Sequence, residues 1–171
     1  MLPRKTKRGF YLLVEQMNRP FNTLHIQEVK TRPEKTYVVV DSRYRDVTQY
    51  PHVNSFVVDF DTPFKNVMSI ELVYAVYDKQ GTERYINLCI PEASSFLKSN
   101  NNIIEGSFTQ LPLVDHVNEY TGNKFRSIKV FDPPLAKMGR LTLNIISEKG
   151  QPYPMRDYFM RFEIVWAKPE V

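Results

Sequence analysis

Glycine is scarce in this chain, six residues among 171, and no phosphate-cradling loop or dinucleotide fingerprint can be assembled from them. A nucleotide cofactor is therefore not expected. Cysteine is scarcer still, since Cys89 stands alone. One thiol cannot close an intrachain disulfide or supply the cysteine pair of a zinc site, and its solitude fits a reducing compartment. Cys89 lies in the apolar run Ile86-Asn87-Leu88-Cys89-Ile90, where an inert buried thiol is the expectation rather than a nucleophile. His25, His52 and His116 are scattered, with no pair at metal-ligand spacing. Long hydrophobic runs are missing too: nothing approaches the ~20 apolar residues of a membrane helix, and Phe10 to Val14 is too short for a signal-peptide core. These absences lead to the expectation of a soluble body, not secreted, with no metal, cofactor or small-molecule substrate and no enzymatic activity.

What is present is the composition of one globular domain, 42% hydrophobic and 25% charged. From Thr36 onward, short runs of β-branched and aromatic residues are broken by Pro, Gly, Asn and Asp. Strands are expected near Thr36 to Asp41, Ser55 to Phe60, Val67 to Tyr77, Glu83 to Ile90, Ser107 to Leu111, Phe125 to Phe131, Arg140 to Ser147 and Tyr158 to Trp166. Alternation marks half-buried faces: Phe56, Val58 and Phe60 against Val57 and Asp59; Leu141, Leu143 and Ile145; and Met160, Phe162, Ile164 and Trp166 against Arg161 and Glu163. Tyr50-Pro51, Thr62-Pro63, Lys79-Gln80-Gly81, Tyr120-Thr121-Gly122-Asn123 and Lys149-Gly150-Gln151-Pro152 supply turns between these runs. Short helices are candidates only at Glu92 to Lys98 and Phe10 to Met17. The stretches Pro91 to Ser107 and Pro112 to Asn123 read as loops and as the candidate second contact surface. The fold class expected is all-β, an antiparallel β-sandwich of jelly-roll-like form over residues 36–171.

Residues 1–35 differ from that body. Across residues 1–36, eight Lys or Arg face three acids, a balance of +5, while the remainder carries −1. Pro3, Pro20 and Pro33 punctuate a sequence that is also apolar, with Phe10, Tyr11, Leu12, Leu13, Val14 and Phe21. The expectation is an extended basic arm that becomes ordered against a neighbouring subunit. Arg4, Lys5, Lys7, Arg8 and Arg19 would meet carboxylates, and Phe10, Tyr11 and Phe21 would fill pockets. The competing reading is an additional edge strand and short helix packed on the same domain.

The densest polar cluster is Asp41-Ser42-Arg43-Tyr44-Arg45-Asp46. A metal-dependent nuclease would need several carboxylates converging on one ion, and the next acids, Asp59 and Asp61, flank another strand. A structural reading asks less: Asp41 and Ser42 cap backbone groups, and Arg43 and Arg45 pair with Asp46 or with a partner's acid.

Three stretches, Val40-Asp41-Ser42-Arg43-Tyr44-Arg45-Asp46, Asn54-Ser55-Phe56-Val57-Val58-Asp59-Phe60 after Tyr50-Pro51, and Pro63-Phe64-Lys65-Asn66-Val67-Met68-Ser69-Ile70-Glu71-Leu72, together resemble the opening of a family of virion structural proteins of the nucleocytoplasmic large DNA viruses. Arg140-Leu141-Thr142-Leu143-Asn144-Ile145 with Gly150 and Phe162-Glu163-Ile164 is similar to their closing hairpin. The resemblance implies a minor capsid protein that lies beneath the outer shell of an icosahedral virion. It would link capsomers of major capsid protein to each other, to other minor capsid proteins, or to the inner membrane layer, after assembly in the host cytoplasm. The alternative is a virion protein that meets nucleic acid or membrane through its basic arm; nucleic acid is the less expected partner.

Overall fold

The computed structural model describes residues 31–93, 97–124 and 126–169. They form seven strands: β1 (Thr31–Asp41), β2 (Ser55–Asp78), β3 (Tyr85–Cys89), β4 (Thr109–Pro112), β5 (Val117–Thr121), β6 (Ser127–Ser147) and β7 (Phe159–Pro169). The helical elements among the described residues are two single 3-10 turns, Ser42–Tyr44 and Pro91–Ala93. Every pairing is antiparallel, in the order β1-β7-β2-β6-β3-β4, with β5 beside β2. The all-β, antiparallel, sandwich-like expectation holds.

Two strands, β2 and β6, belong to both layers. Residues 69–72 of β2 pair with 127–130 of β6, and after the bends residues 55–59 of β2 pair with 140–144 of β6. The bends fall where the register shifts, between Asp59 and Phe64 and between Val67 and Ser69, and Asn66 there has a φ of 51°. Bulges of this kind turn a strand without ending it. The first layer is β1, β7 and the second half of β2, flanked by β5 and the start of β6; the other ends of β2 and β6 continue into β3 and β4. The layers close on each other through Phe108 against Phe162 (ring centroids 6.4 Å apart), Phe56 against Tyr158 (6.0 Å), and a Tyr77 hydroxyl that donates to the Pro112 carbonyl at 2.9 Å. The sheet thus curls into a half-barrel whose concave side is the core, where Ile70, Leu72, Leu88, Leu111, Leu141, Leu143, Phe162 and Ile164 are fully buried.

Several local expectations need correction. The Thr62-Pro63 turn is a bulge inside β2: Pro63 lacks an N–H, and a bulge is where the ladder does not need one. The strands expected at Phe125 to Phe131 and Arg140 to Ser147 are likewise one: β6 runs from Ser127 through Pro133-Pro134 to Ser147, and Phe125 lies outside the described residues. Part of the expected loop from Pro112 to Asn123 is β5, anchored by buried Tyr120, whose hydroxyl donates to Ser127 Oγ at 2.9 Å. The break between β5 and β6 lies opposite Val73, whose carbonyl accepts from Gly122 N at 2.9 Å; a Cβ on Gly122 would stand 3.4 Å from the Val73 backbone. The helix expected from Glu92 does not reach Lys98: a 3-10 turn ends at Ala93, residues 94–96 lie outside the described residues, and Lys98 is not helical. The Glu92 carboxylate instead accepts from Thr142 N at 3.0 Å and Thr142 Oγ1 at 2.7 Å, which fixes it to β6.

The arm boundary at residue 35 also shifts, because β1 begins at Thr31. Pro33 is tolerable on an edge strand, and Glu34 and Lys35 gain ion pairs to β7, with Lys168 at 3.1 Å and Glu163 at 2.9 Å. Residues 1–30, with the helix expected at Phe10 to Met17, lie outside the described residues.

Candidate interaction surface

The polar cluster at the end of β1 is a turn held from several sides. Val40 sinks into the core and Asp41 ends the strand, so the chain must reverse at once. Ser42 stitches the reversal to β7: its N–H donates to the Tyr158 carbonyl at 3.0 Å, and its Oγ accepts from Tyr158 N at 2.8 Å. Asp41 caps the 3-10 turn by accepting from Arg43 N at 3.1 Å, and its carboxylate holds the Arg43 guanidinium in a fork at 2.9 and 2.6 Å. That hydrogen-bonded guanidinium draws the Asp41 carboxyl below its usual range.

Arg45 turns inward. Its guanidinium donates to the carbonyls of Ser42 (2.9 Å), Tyr50 (3.1 Å) and Pro51 (3.4 Å) and stands 3.9 Å from Asp157. Asp46 accepts from Thr48 N at 2.9 Å and Gln49 N at 3.2 Å, a local cap on the next turn. The capping expected of Asp41 and Ser42 is present, but the expected pairings with Asp46 are not. Arg43 chooses Asp41 because a residue two positions back already faces it, and Arg45 chooses backbone carbonyls because a guanidinium fork can serve several at once.

The consequence is outward. With its neighbours committed to the backbone or to each other, Tyr44 is left 85% exposed on a braced turn, and Val47 is exposed beside it. Tyrosine on a rigid support is a low-entropy contact residue. Reading the motif for charge misses Tyr44; an aromatic between two arginines within a turn is the signal that could have found it. Beside it runs a cleft of about 400 Å³ lined by Val39, Tyr44, Asp46, Tyr50 and Asp59. Among the described residues no group of three or more His, Cys, Asp or Glu is placed to hold a metal ion.

The outer face of β1 continues this surface. Lys35 Nζ and the Tyr37 hydroxyl both donate to Glu163, at 2.9 and 3.0 Å, and hold its carboxyl below the usual glutamate range, Lys35 first. Of the two loop stretches expected to make contacts, Pro91 to Ser107 is tied down in its second half: Asn101 Oδ1 accepts from Ile103 N at 2.9 Å, and Ile103 packs against Gly150. The other leaves Val114 and Val117 exposed. Arg4, Lys5, Lys7, Arg8, Phe10, Tyr11, Arg19 and Phe21 lie outside the described residues. Among the described residues no helix is long and apolar enough to cross a membrane.

No characterised protein gives a significant match to the chain. Residues 25–76, which contain β1, the braced turn and nearly all of β2, are similar to a family of unknown function, DUF5901.

Proposed function

We propose that this protein is a minor capsid protein that links coat proteins beneath the outer shell of a large DNA virus. The supporting observation is the braced turn: the Asp-Ser-Arg-Tyr-Arg-Asp stretch that carries the resemblance to virion proteins spends its polar groups on rigidity and offers Tyr44 to a partner. The basic N-terminal residues add a second point of attachment. In a lattice such contacts act together, so effective concentration raises avidity although each contact is weak. The major capsid protein and other minor capsid proteins are the partners this reading names.

Recombinant protein lacking residues 1–30, and separately Tyr44→Ala, tests it in assembling particles. Both variants should melt like the parent yet be lost from purified virions, with cross-linking mass spectrometry placing the parent turn against a coat protein. Normal incorporation of both variants would reject the proposal. The alternative, attachment of the basic segment to nucleic acid, predicts duplex binding that weakens steeply with salt, because phosphate contacts release counterions.

A further inference from the structure

β1 has β7 on one side and no strand on the other among the described residues. Which of its backbone groups face that open side follows from one hydrogen bond. Ser42 N donates to the Tyr158 carbonyl at 3.0 Å, and β1 runs along β7 without a register shift. Hydrogen-bonded pairs alternate along an antiparallel ladder, so Val40, Val38 and Thr36 bond to β7, while the N–H and C=O groups of Lys35, Tyr37 and Val39 and the N–H of Asp41 point to the open edge; the Asp41 carbonyl begins the 3-10 turn.

Folded proteins blunt such edges with proline and charge. The first half of β1 does so, with Pro33, Glu34 and Lys35; the run Thr36-Tyr37-Val38-Val39-Val40 contains neither. On its outer face Tyr37 is 58% and Val39 51% exposed. An unguarded, strongly β-forming segment remains, bounded by Lys35 at one end and Asp41 at the other.

That segment is complementary to itself, and we propose that β1 pairs antiparallel with β1 of a second copy of this chain, about a two-fold axis at Val38. Outward-pointing backbone groups sit on odd-numbered residues in both copies, so only registers that oppose odd to odd form hydrogen bonds. Centring the axis on Tyr37 sets Lys35 against Val39, and centring it on Val39 sets Tyr37 against Asp41. Centring it on Val38 sets each Tyr37 against the other copy's Val39, an aromatic to β-branched pair, and each Lys35 against the other copy's Asp41. The existing ion pairs of Lys35 with Glu163 and of Asp41 with Arg43 then become one cluster of two positive and two negative charges at each end. Charge complementarity thus selects both the occupant, a second copy, and the register.

The test uses the full chain with Cys89→Ser and Val38→Cys. At the axis the two Val38 positions form a non-hydrogen-bonded pair with Cα atoms ~4.5 Å apart, within the range a disulfide spans. Sedimentation over a concentration series should show a monomer–dimer equilibrium for the unmodified chain, and mild oxidation of the Val38→Cys protein should give a covalent dimer. Val39→Lys, at an exposed position, should keep the circular dichroism spectrum and melting temperature yet remain monomeric. A monomer at every concentration, or a dimer that Val39→Lys leaves intact, overturns the proposal. So does slow amide exchange at Tyr37 and Val39 in a monomer, which would mean that residues 1–30 of the same chain cover the edge.

Discussion

Replacing Arg45 by alanine should cost far more than replacing Arg43, although the two arginines share one turn. Arg45 donates to the Ser42 and Tyr50 carbonyls at 2.9 and 3.1 Å, and only 13% of its side chain is exposed. A hydrogen bond from a charged donor contributes ~1.5–3 kcal/mol, so two at the lower value give about 3 kcal/mol. With an unfolding entropy of ~2 cal/mol/K per residue, a domain of roughly 140 residues converts that loss into a fall in melting temperature of about 10 °C. Arg45→Lys should recover only part of it, because an ammonium group lacks the planar fork that serves carbonyls in different directions. Arg43 is solvated and bound to one carboxylate, so Arg43→Ala should move the melting temperature much less. Thermal unfolding followed by circular dichroism at neutral pH separates the three variants. Equal shifts for Arg45→Ala and Arg43→Ala would refute the reasoning.

The Tyr158 hydroxyl is buried with no hydrogen-bond partner among the described residues, and burial pushes its ionisation far above the ordinary phenol range; Tyr158→Phe should therefore be neutral or stabilise the fold by about 1 kcal/mol, and a clear loss in urea titration would mean that the hydroxyl is satisfied. Phe162 is fully buried against Phe108, so Phe162→Ala should cost ~3–5 kcal/mol in the same titration, and a loss no greater than that of a surface substitution would place the core elsewhere. The Glu163 carboxyl is lowered by Lys35 and then Tyr37, so it contributes stability at pH values above the ordinary glutamate range, and the contribution is lost as pH falls through its depressed folded value. Glu163→Gln should flatten the acid limb of the stability profile, and an unchanged acid limb would contradict this assignment.

The strand faces were legible in the sequence where alternation ran unbroken. Phe56, Leu141, Leu143, Ile145, Met160, Phe162 and Ile164 all turn into the core, because period-two hydrophobicity states directly which side is buried. Continuity was less legible. Thr62-Pro63 reads as a turn, and Phe125 to Phe131 and Arg140 to Ser147 read as separate strands, whereas bulges let one strand pass through each interruption and change layers; this depends on a partner strand many residues away. β5 escaped notice because Val117-Asn118-Glu119-Tyr120-Thr121 is short and polar, and its place is fixed by the β2 edge and by Ser127. In the turn, capping by Asp41 and Ser42 followed from local chemistry, but the choice of Arg45 for carbonyls required the Tyr50-Pro51 backbone to come round to it.

The sharing of β2 and β6 between layers also governs how the chain reaches its native state. Ser55 must meet Asn144, and Leu72 must meet Ser127, before either half of the sheet has a floor on which to condense. Closing loops of that length before any stabilising contact forms makes acquisition of structure slow, in the millisecond-to-second regime typical of sheets with distant pairings. During that interval the Thr36 to Val40 segment and the interior sides of both long strands are open to other nascent chains. Yield from cells should therefore depend on synthesis rate and temperature more strongly than the equilibrium stability alone would suggest.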